Sequence, residues 1–299
     1  RVEAYNDTHF AQLRALDGVS HEDIADGHHF HFHTLQEGGG KGGSLMQFTN
    51  DGRMLVKQLS GDDHASLLRC FDSYSRHILE DPSSLLTRFY YHFKRPSDGQ
   101  NYVVMNSMIP ANASLHDLYD LKGSADDKFM VMGGKKVAQT HKRWFKLHWF
   151  AMEACCSGAL PEDRRRYRGG KARALHERFG MLPEEDRRRI KGAVRGDVAM
   201  LRAAGLMDYS LLIAVVKGAA GAAPDAFPPS GNGTKPVVVR SPDASYAFYF
   251  GLIDFLQGWS GGKKVAHVIK VLFAPRPIST IPPSDYADQF LAANERRFS

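Results

Sequence analysis

Two stretches of the sequence decide the fold, and each joins an apolar run to a carboxylate. Residues 206–216 read Leu-Met-Asp-Tyr-Ser-Leu-Leu-Ile-Ala-Val-Val, so Asp208 stands in a short polar step before the run. Residues 247–254 read Ala-Phe-Tyr-Phe-Gly-Leu-Ile-Asp, so this second run ends at Asp254. Short apolar runs of this kind predict buried strands. We therefore expect Asp254 at a strand end that faces a cleft. Asp208 stands where a carboxylate could be presented at a cleft, but these residues alone favour a turn aspartate without chemistry.

The chain around these runs predicts a loop and a helical region. Residues 217–236 are rich in Ala, Gly and Pro, which is typical of a flexible loop between the two strands. Upstream, residues 125–189 are basic and tolerate helix. A helical face then continues from Val194 to Leu201, and Gly205 is its expected stop.

The amino-terminal part predicts a glycine-rich loop followed by a β-hairpin. Residues 37–44 are rich in glycine, and the tripeptide Asn-Asp-Gly at 50–52 separates the apolar runs 45–49 and 54–59. Such a tripeptide between two apolar runs is a hairpin signal. Lys57 lies on the second strand of this hairpin.

A helix and two further strands are expected next. The helix has Asp62 as its expected cap and stops at residues 80–82, and strands are expected over 89–93 and 102–105. The face that the helix buries consists of Leu67, Phe71, Tyr74 and Ile78. A glycine-rich loop, a strand lysine, a helix and antiparallel strands in this order are typical of the amino-terminal lobe of a protein-kinase-like ATP site. The glycine-rich loop on its own is explained nearly as well by a flexible linker.

The net charge of +6 is unevenly distributed over the 299 residues. Residues 161–195 hold 12 Lys and Arg against 6 Asp and Glu, and residues 255–284 hold four basic residues and no acid. Two basic segments on a mildly acidic body predict a surface that meets nucleic acid, lipid headgroups or a phosphorylated substrate. The basic runs lack a nucleic-acid recognition motif and an aromatic platform, so nucleic acid is not the expected partner. A solvated charged helix is the alternative for residues 161–195.

The cysteine count and the absence of long apolar runs bear on the compartment. The chain has three cysteines, which do not make a disulfide framework and favour a reducing cytosol. No apolar run approaches the length that spans a bilayer. The histidines of residues 28–33 have no acid or cysteine among them, so a strand or loop cluster is expected there rather than a metal site.

Three strings carry a resemblance to a known family. They read Asp120-Leu-Lys-Gly-Ser124, Met207-Asp-Tyr-Ser-Leu-Leu212 and Leu252-Ile-Asp-Phe-Leu-Gln257. In this order they resemble the phosphatidylinositol phosphate kinases. The resemblance implies an α+β, two-lobed, protein-kinase-like lipid kinase fold with antiparallel sheets and flanking helices. It also implies a single catalytic domain over residues 1–299, with an amino-terminal lobe that ends near residue 108 and a carboxyl-terminal lobe from 109.

The resemblance further implies a site for ATP and Mg²⁺. Lys57 would neutralise ATP phosphates, Asp254 would hold magnesium, and Asp208 would orient or deprotonate the attacking inositol hydroxyl. Lys122 would lie near the transferred phosphate. The residues implied to close over or flank the nucleotide are Gly40, Gly42, Gly43, Ser44, Leu55, Met105, Asn106, Ser107, Met108, Leu212 and Ile253.

The implied partner is a phosphoinositide in an anionic membrane. Lys263, Lys264, Ala266 and Lys270 are implied to meet it, so we expect a cytoplasmic protein that is peripheral at the membrane, with a homodimer left open. In this family an activation-segment Glu marks 4-phosphate 5-kinases, and Ala marks 5-phosphate 4-kinases.

The aligned position here is Ala266, which favours the 4-kinase. We expect the 5-kinase because that activity is the more widespread. The 4-kinase is the first alternative, and a catalytically weak membrane-binding scaffold on the same fold is the second.

Overall fold

The structure, a computed structural model, describes residues 2–25, 36–37, 45–109, 113–139, 162–217, 237–259 and 277–299. The helices within these ranges are α1 (Asp7–Asp17), α2 (Glu22–Ala25), α3 (Gly61–Glu80), α4 (Glu162–His176), α5 (Glu184–Ala203) and α6 (Pro283–Arg297). The strands are β1 (Glu3–Ala4), β2 (Gln36–Glu37), β3 (Leu45–Phe48), β4 (Met54–Leu59), β5 (Phe89–Arg95), β6 (Gln100–Asn106), β7 (Leu115–Leu121), β8 (Lys128–Met132), β9 (Lys135–Lys136), β10 (Leu206–Met207), β11 (Ser210–Lys217), β12 (Val237–Arg240), β13 (Tyr246–Ile253) and β14 (Gln257–Gly258).

The described strands form two six-stranded sheets and a two-stranded ribbon. The first sheet has the order β1-β5-β6-β4-β3-β2, and the second has the order β12-β13-β11-β7-β8-β9. The ribbon consists of β10 and β14. The pairings between these strands are antiparallel, and the helices are not interleaved with parallel strands. The expected α+β class is therefore confirmed.

The elements predicted around Lys57 are present, with one correction at a helix cap. The hairpin β3–β4 carries Lys57, and the four residues of the expected helical face are buried on α3. Asp62 was expected to cap α3, but Ser60 does so by accepting a hydrogen bond from the Asp63 amide at 3.1 Å. Asp62 lies instead in the first turn, where its charge is favourable because of the helix dipole.

The basic region after residue 125 differs from its predicted helical character. Residues 128–132 and 135–136 form β8 and β9, because β8 pairs with β7 and buries Phe129 against the core. Helix begins only at Glu162 within the described residues. The stop at Gly205 is confirmed, since α5 ends at Ala203 and Gly205 has a φ of 68°. The loop expected over 217–236 lies outside the described residues apart from Lys217.

A short segment joins the two sheets. The Leu252 amide of β13 donates to the Leu85 carbonyl at 2.6 Å, and the Thr87 amide donates to the Leu252 carbonyl at 2.9 Å. The hydroxyl of Tyr74 on α3 donates to the Thr87 carbonyl at 2.8 Å and accepts from the Phe89 amide at 2.8 Å. Residues 85–87 are buried, so these bonds fix β13 against α3 and β5. We call this segment the joint.

One buried carboxylate holds the joint to two helices, α3 and α5. Asp197 of α5 is fully buried and accepts from the Leu85 amide at 2.7 Å. Its other oxygen lies 2.7 Å from Nε2 of His77 on α3. A buried carboxylate needs such partners. Asp197 therefore connects α3, α5 and the joint.

Because Gly251 on β13 has no side chain, it leaves room for the side chain of Met108. A Cβ at this position would lie 1.8 Å from Cε of Met108 and 2.9 Å from its Sδ. Met108 is one of the residues implied to flank the nucleotide. The absence of a side chain at Gly251 therefore sets where Met108 lies.

We expect Gly251→Ala to lower the free energy of unfolding by about 1 kcal/mol, because the flexible Met108 must move aside. Chemical denaturation measures this. Gly192→Ala is the matched control, since Gly192 lies inside α5 with nothing within 4 Å of its added Cβ. That control should be neutral or stabilising. Additive effects of Gly251→Ala and Met108→Ala in a double variant would contradict the contact.

Candidate active site

Asp208 and Asp254 lie where the second sheet continues into the ribbon. Asp208 stands between β10 and β11, and Asp254 stands between β13 and β14. Because Ser210 pairs with Ile253, the two aspartates come to the same end of the sheet. Both have left-handed backbone conformations, with φ of 64° and 56°. Such conformations are strained for residues other than glycine, and they concentrate at functional sites.

Lys122 joins this end of the sheet from β7. Leu121, the last residue of β7, pairs with Leu211, so Lys122 directly after the strand lies beside the turn that carries Asp208. The Lys122 ammonium donates to the Asp208 carboxylate at 2.6 Å and to the Asp208 carbonyl at 2.7 Å. Burial by itself would lower the pKa of Lys122, but Asp208 and Asp120 together raise it. Lys122 therefore stays charged and holds both the carboxylate and the backbone carbonyl of Asp208 in place.

The Asp127 side chain holds the loop that carries Lys122. One oxygen of Asp127 accepts from the backbone amides of Lys122, Gly123 and Ser124, at 2.6, 2.9 and 3.3 Å. The other oxygen accepts from the guanidinium of Arg297 on α6. Both charged side chains are buried, with exposed fractions of 0% and 1%. This buried pair sets the shape of the loop.

Lys57 reaches the same place from the first sheet. Its ammonium donates to the Asp254 carboxylate at 2.6 Å, across a sequence separation of 197 residues. Removal from water would raise the pKa of Asp254, but Lys57, with Lys122 and Lys128 further away, outweighs this and lowers it. The Asp254 side chain is still 54% exposed, so it remains open to a ligand.

A third pair completes the group and was not anticipated. Asp120 of β7 lies opposite Lys128 of β8, and their charged atoms are 3.0 Å apart. The second oxygen of Asp120 is buried and has no hydrogen-bond partner among the described residues. The alternation of side chains along β7 could have marked Asp120 as a candidate site residue. Its pairing with Lys128 could not be predicted without the register between β7 and β8. Three lysines and three aspartates are thus paired near this end of the sheet.

The residues implied to flank adenine lie beside this group. Leu55, Leu212 and Ile253 are each half-buried, and Met105 lies opposite Leu55 in the β4–β6 ladder. A partly exposed apolar set of this kind suits a flat aromatic ring.

Asn106 and Ser107 use their side chains within the protein instead. The side-chain Oδ1 of Asn106 accepts from the Arg88 backbone amide at 2.9 Å, and the Ser107 hydroxyl donates to the Ile109 carbonyl at 2.7 Å. Their backbone amides are engaged as well, since Asn106 donates to the Arg88 carbonyl at 3.0 Å and Ser107 to the Arg53 carbonyl at 2.9 Å.

Some predicted site residues lie outside the described residues. They are Gly40, Gly42, Gly43, Ser44, Lys263, Lys264, Ala266 and Lys270. The histidines of residues 28–33 lie outside as well.

The described residues contain neither a preformed metal-ligand cluster nor a membrane-spanning helix. Within the described ranges, no group of three or more His, Cys, Asp or Glu side chains is placed so that it could hold a metal ion. Within those same ranges, every helix is too short or too polar to cross a membrane.

Comparison with known proteins agrees with the geometry. The sequence model of the family described as Phosphatidylinositol-4-phosphate 5-Kinase matches residues 32–235 and 225–296. The chain belongs to this family. The phosphatidylinositol phosphate kinase resemblance noted from the three strings is therefore confirmed.

Several curated relatives carry related names. A phosphatidylinositol 4-phosphate 5-kinase of Plasmodium falciparum is 25% identical over 84% of the chain, which spans 15% of that relative. The enzyme named phosphatidylinositol 4-phosphate 5-kinase its3 of Schizosaccharomyces pombe is 24% identical over 84% of the chain and 40% of its own length. The type-1 beta enzyme of Rattus norvegicus is 24% identical over 84% of the chain and 50% of its own length. The chain thus spans half or less of each of these relatives.

We expect Lys57→Met to raise the pKa of Asp254, because the substitution removes the nearest positive charge. Carbon-13 NMR of the aspartate carboxyl groups over a pH titration measures this without any activity. Lys135→Met is the matched control, since Lys135 is exposed on β9. An unchanged pKa of Asp254 in a folded Lys57→Met protein would mean that the pair does not form in solution.

Proposed function

We propose that the chain transfers the γ-phosphoryl group of ATP to a phosphatidylinositol monophosphate and forms a phosphatidylinositol bisphosphate. The observation that carries the proposal is the convergence of Lys57, Lys122, Asp208 and Asp254 at one strand end. Phosphoryl transfer is mostly positioning and charge stabilisation, so it needs cations and carboxylates held in this way. Membership of the family supports the substrate class.

ATP would lie between the two sheets. Leu55, Leu212 and Ile253 supply the apolar walls for its adenine ring. Lys57 supplies a positive charge for its phosphates, since a compact ammonium suits a phosphate oxygen. The glycines of residues 40–43 would let the backbone close over those phosphates.

The carboxylates fit Mg²⁺, which the family implies. In nucleotide sites this ion prefers oxygen ligands and takes one or two carboxylates together with substrate phosphates. Asp254 is half-exposed and already faces a cation, so it offers such an oxygen. Asp254 would hold the ion, and the ion would neutralise developing charge on the phosphates.

Asp208 would act on the attacking hydroxyl. An inositol oxygen bonds to the γ-phosphorus, and the bond from that phosphorus to the oxygen shared with the β-phosphate breaks. ADP leaves with the electron pair of that bond, and the hydroxyl proton passes to the Asp208 carboxylate. Lys122 fixes the orientation of Asp208 through its two hydrogen bonds and brings a positive charge next to the reacting group.

The membrane would be met by the basic segment that follows Asp254. Lys263, Lys264 and Lys270 add three positive charges to a stretch without acids. Each basic residue near an anionic leaflet contributes about 1 kcal/mol of attraction. Peripheral binding at a membrane surface is therefore part of the proposal.

The proposed acceptor is the 5-hydroxyl of phosphatidylinositol 4-phosphate. The names of the relatives from Plasmodium falciparum, Schizosaccharomyces pombe and Rattus norvegicus support this choice. Ala266 supports the alternative, a 5-phosphate 4-kinase.

We expect Asp208→Asn and Asp254→Asn each to lower turnover by about 10²–10⁴-fold, because each removes a charge that the transfer needs. Labelled ATP and vesicles that contain each phosphatidylinositol monophosphate give the rate. Asp62→Asn is the control, since Asp62 is exposed in the first turn of α3. A folded unaltered protein that forms no product from any monophosphate would contradict the proposal and leave the scaffold alternative.

Ala266→Glu should shift the ratio of turnover on the 4-phosphate to turnover on the 5-phosphate by about tenfold toward the former, because a charged group in a substrate site discriminates strongly. Chromatography of the deacylated lipid products identifies the hydroxyl. Ala266→Gln controls for side-chain size without the charge. An unchanged ratio in Ala266→Glu would remove this position from isomer selection.

A further inference from the structure

A basic cleft lies on the side of the Lys122 loop that faces α6. It has a volume of about 210 Å³, and its lining includes Gly123 of that loop and Pro277. Its polar lining comes from His176, Arg178, Arg296 and Arg297. Carboxylates are missing from this lining among the residues that the structure describes. The cleft is separate from the strand end where Lys57 and Asp208 lie.

The three arginines of this cleft are poorly neutralised. Burial lowers the pKa of Arg297, Asp127 opposes the shift, and the nearby charges of Arg178 and Arg296 add to it. Asp127 is the carboxylate that pairs with Arg297, but it also accepts three backbone amides. Of the three cleft arginines, Arg297 is the one that Asp127 pairs with among the described contacts.

The acidic residues next to the cleft in sequence, Glu177 and Glu295, contact groups outside the cleft lining. Glu177 interacts with the Tyr119 hydroxyl at 3.4 Å, and Glu295 pairs with Lys191 and Arg195 on α5.

Donor groups in the cleft lack acceptors. The Nε of Arg297 is buried and has no hydrogen-bond partner among the described residues, although the side chain is only 1% exposed. Arg178 donates one nitrogen to the carbonyls of His176 and Glu177, at 3.2 and 3.1 Å. Within the described part of the chain, the Arg296 side chain has neither an ion pair nor a hydrogen bond. A buried donor without an acceptor is costly, and an anion that reached the Nε of Arg297 would satisfy it, while the exposed Arg178 and Arg296 would add positive charge.

The size and the charge define the ligand. Pockets for drug-sized molecules have volumes of roughly 300–1,000 Å³, so this cleft suits a smaller group. A phosphomonoester presents several charged oxygens, and guanidinium groups bind such oxygens in pairs. We propose that the cleft binds a phosphomonoester group, carried by a lipid headgroup or by a free phosphate.

The test compares binding by the unaltered chain with binding by two double variants. Arg178→Gln/Arg296→Gln removes the two exposed cleft arginines and leaves the buried Arg297–Asp127 pair intact. Arg168→Gln/Arg188→Gln removes the same charge from exposed positions on α4 and α5 that do not line the cleft. Isothermal titration calorimetry with inorganic phosphate and with inositol 1,4,5-trisphosphate covers free ligands. Flotation with vesicles that contain phosphatidylinositol 4,5-bisphosphate covers the headgroup.

We expect the cleft variant to weaken binding by about tenfold or more, and the control variant by less than about threefold. Loss of binding to soluble probes assigns the cleft to free phosphates, and loss with vesicles alone assigns it to a headgroup. Equal binding by both variants, in folded proteins, overturns the proposal. Complete displacement of the soluble probe by ATP also overturns it, because the probe would then lie in the catalytic site. The result does not depend on whether the chain is a kinase.

Discussion

The backbone hydrogen bonds between the joint, residues 85–87, and Leu252 are the constraint on which the site depends. Lys57 belongs to the first sheet and Asp254 to the second, so their 2.6 Å contact requires that the sheets keep one relative position. Leu252 lies two residues before Asp254 and is held by backbone bonds on both of its sides. These bonds lie in the buried interior, where water does not compete for the donors and acceptors. Tyr74 and Asp197 then lock the joint to α3 and α5.

Charge balance explains how so many ionic groups share one strand end. Burying a single charge is costly, and pairing it with an opposite charge and further hydrogen bonds offsets that cost. The three pairs Lys57–Asp254, Lys122–Asp208 and Lys128–Asp120 follow this rule. A nucleotide with its metal brings both signs of charge as well. Its binding would exchange protein pairs for pairs with the ligand.

The sequence predicted those parts of the fold and site that depend on local patterns. An apolar run beside a carboxylate is a local pattern that predicted Asp254 at a strand end, whereas the role expected of Asp208 came from the family resemblance. The cap of α3 was misplaced because one serine hydroxyl two residues upstream competes with an aspartate, and both are common caps. The pairs formed by Asp120 and Asp127 were missed because they rest on sheet register and on a contact over 170 residues. Such long-range contacts leave no signature in neighbouring residues.

The buried contact between Asp127 and Arg297 has a consequence for how the chain folds during its synthesis. Chains fold from the amino terminus as they leave the ribosome, at about 5–20 residues per second. The loop that carries Lys122 is made early, whereas its counter-charge follows 170 residues later. Until the last turn of α6 emerges, Asp127 has no guanidinium to face, and the loop lacks its support. The loop that carries Lys122 therefore gains the support of the Asp127–Arg297 pair only after α6 has been synthesised.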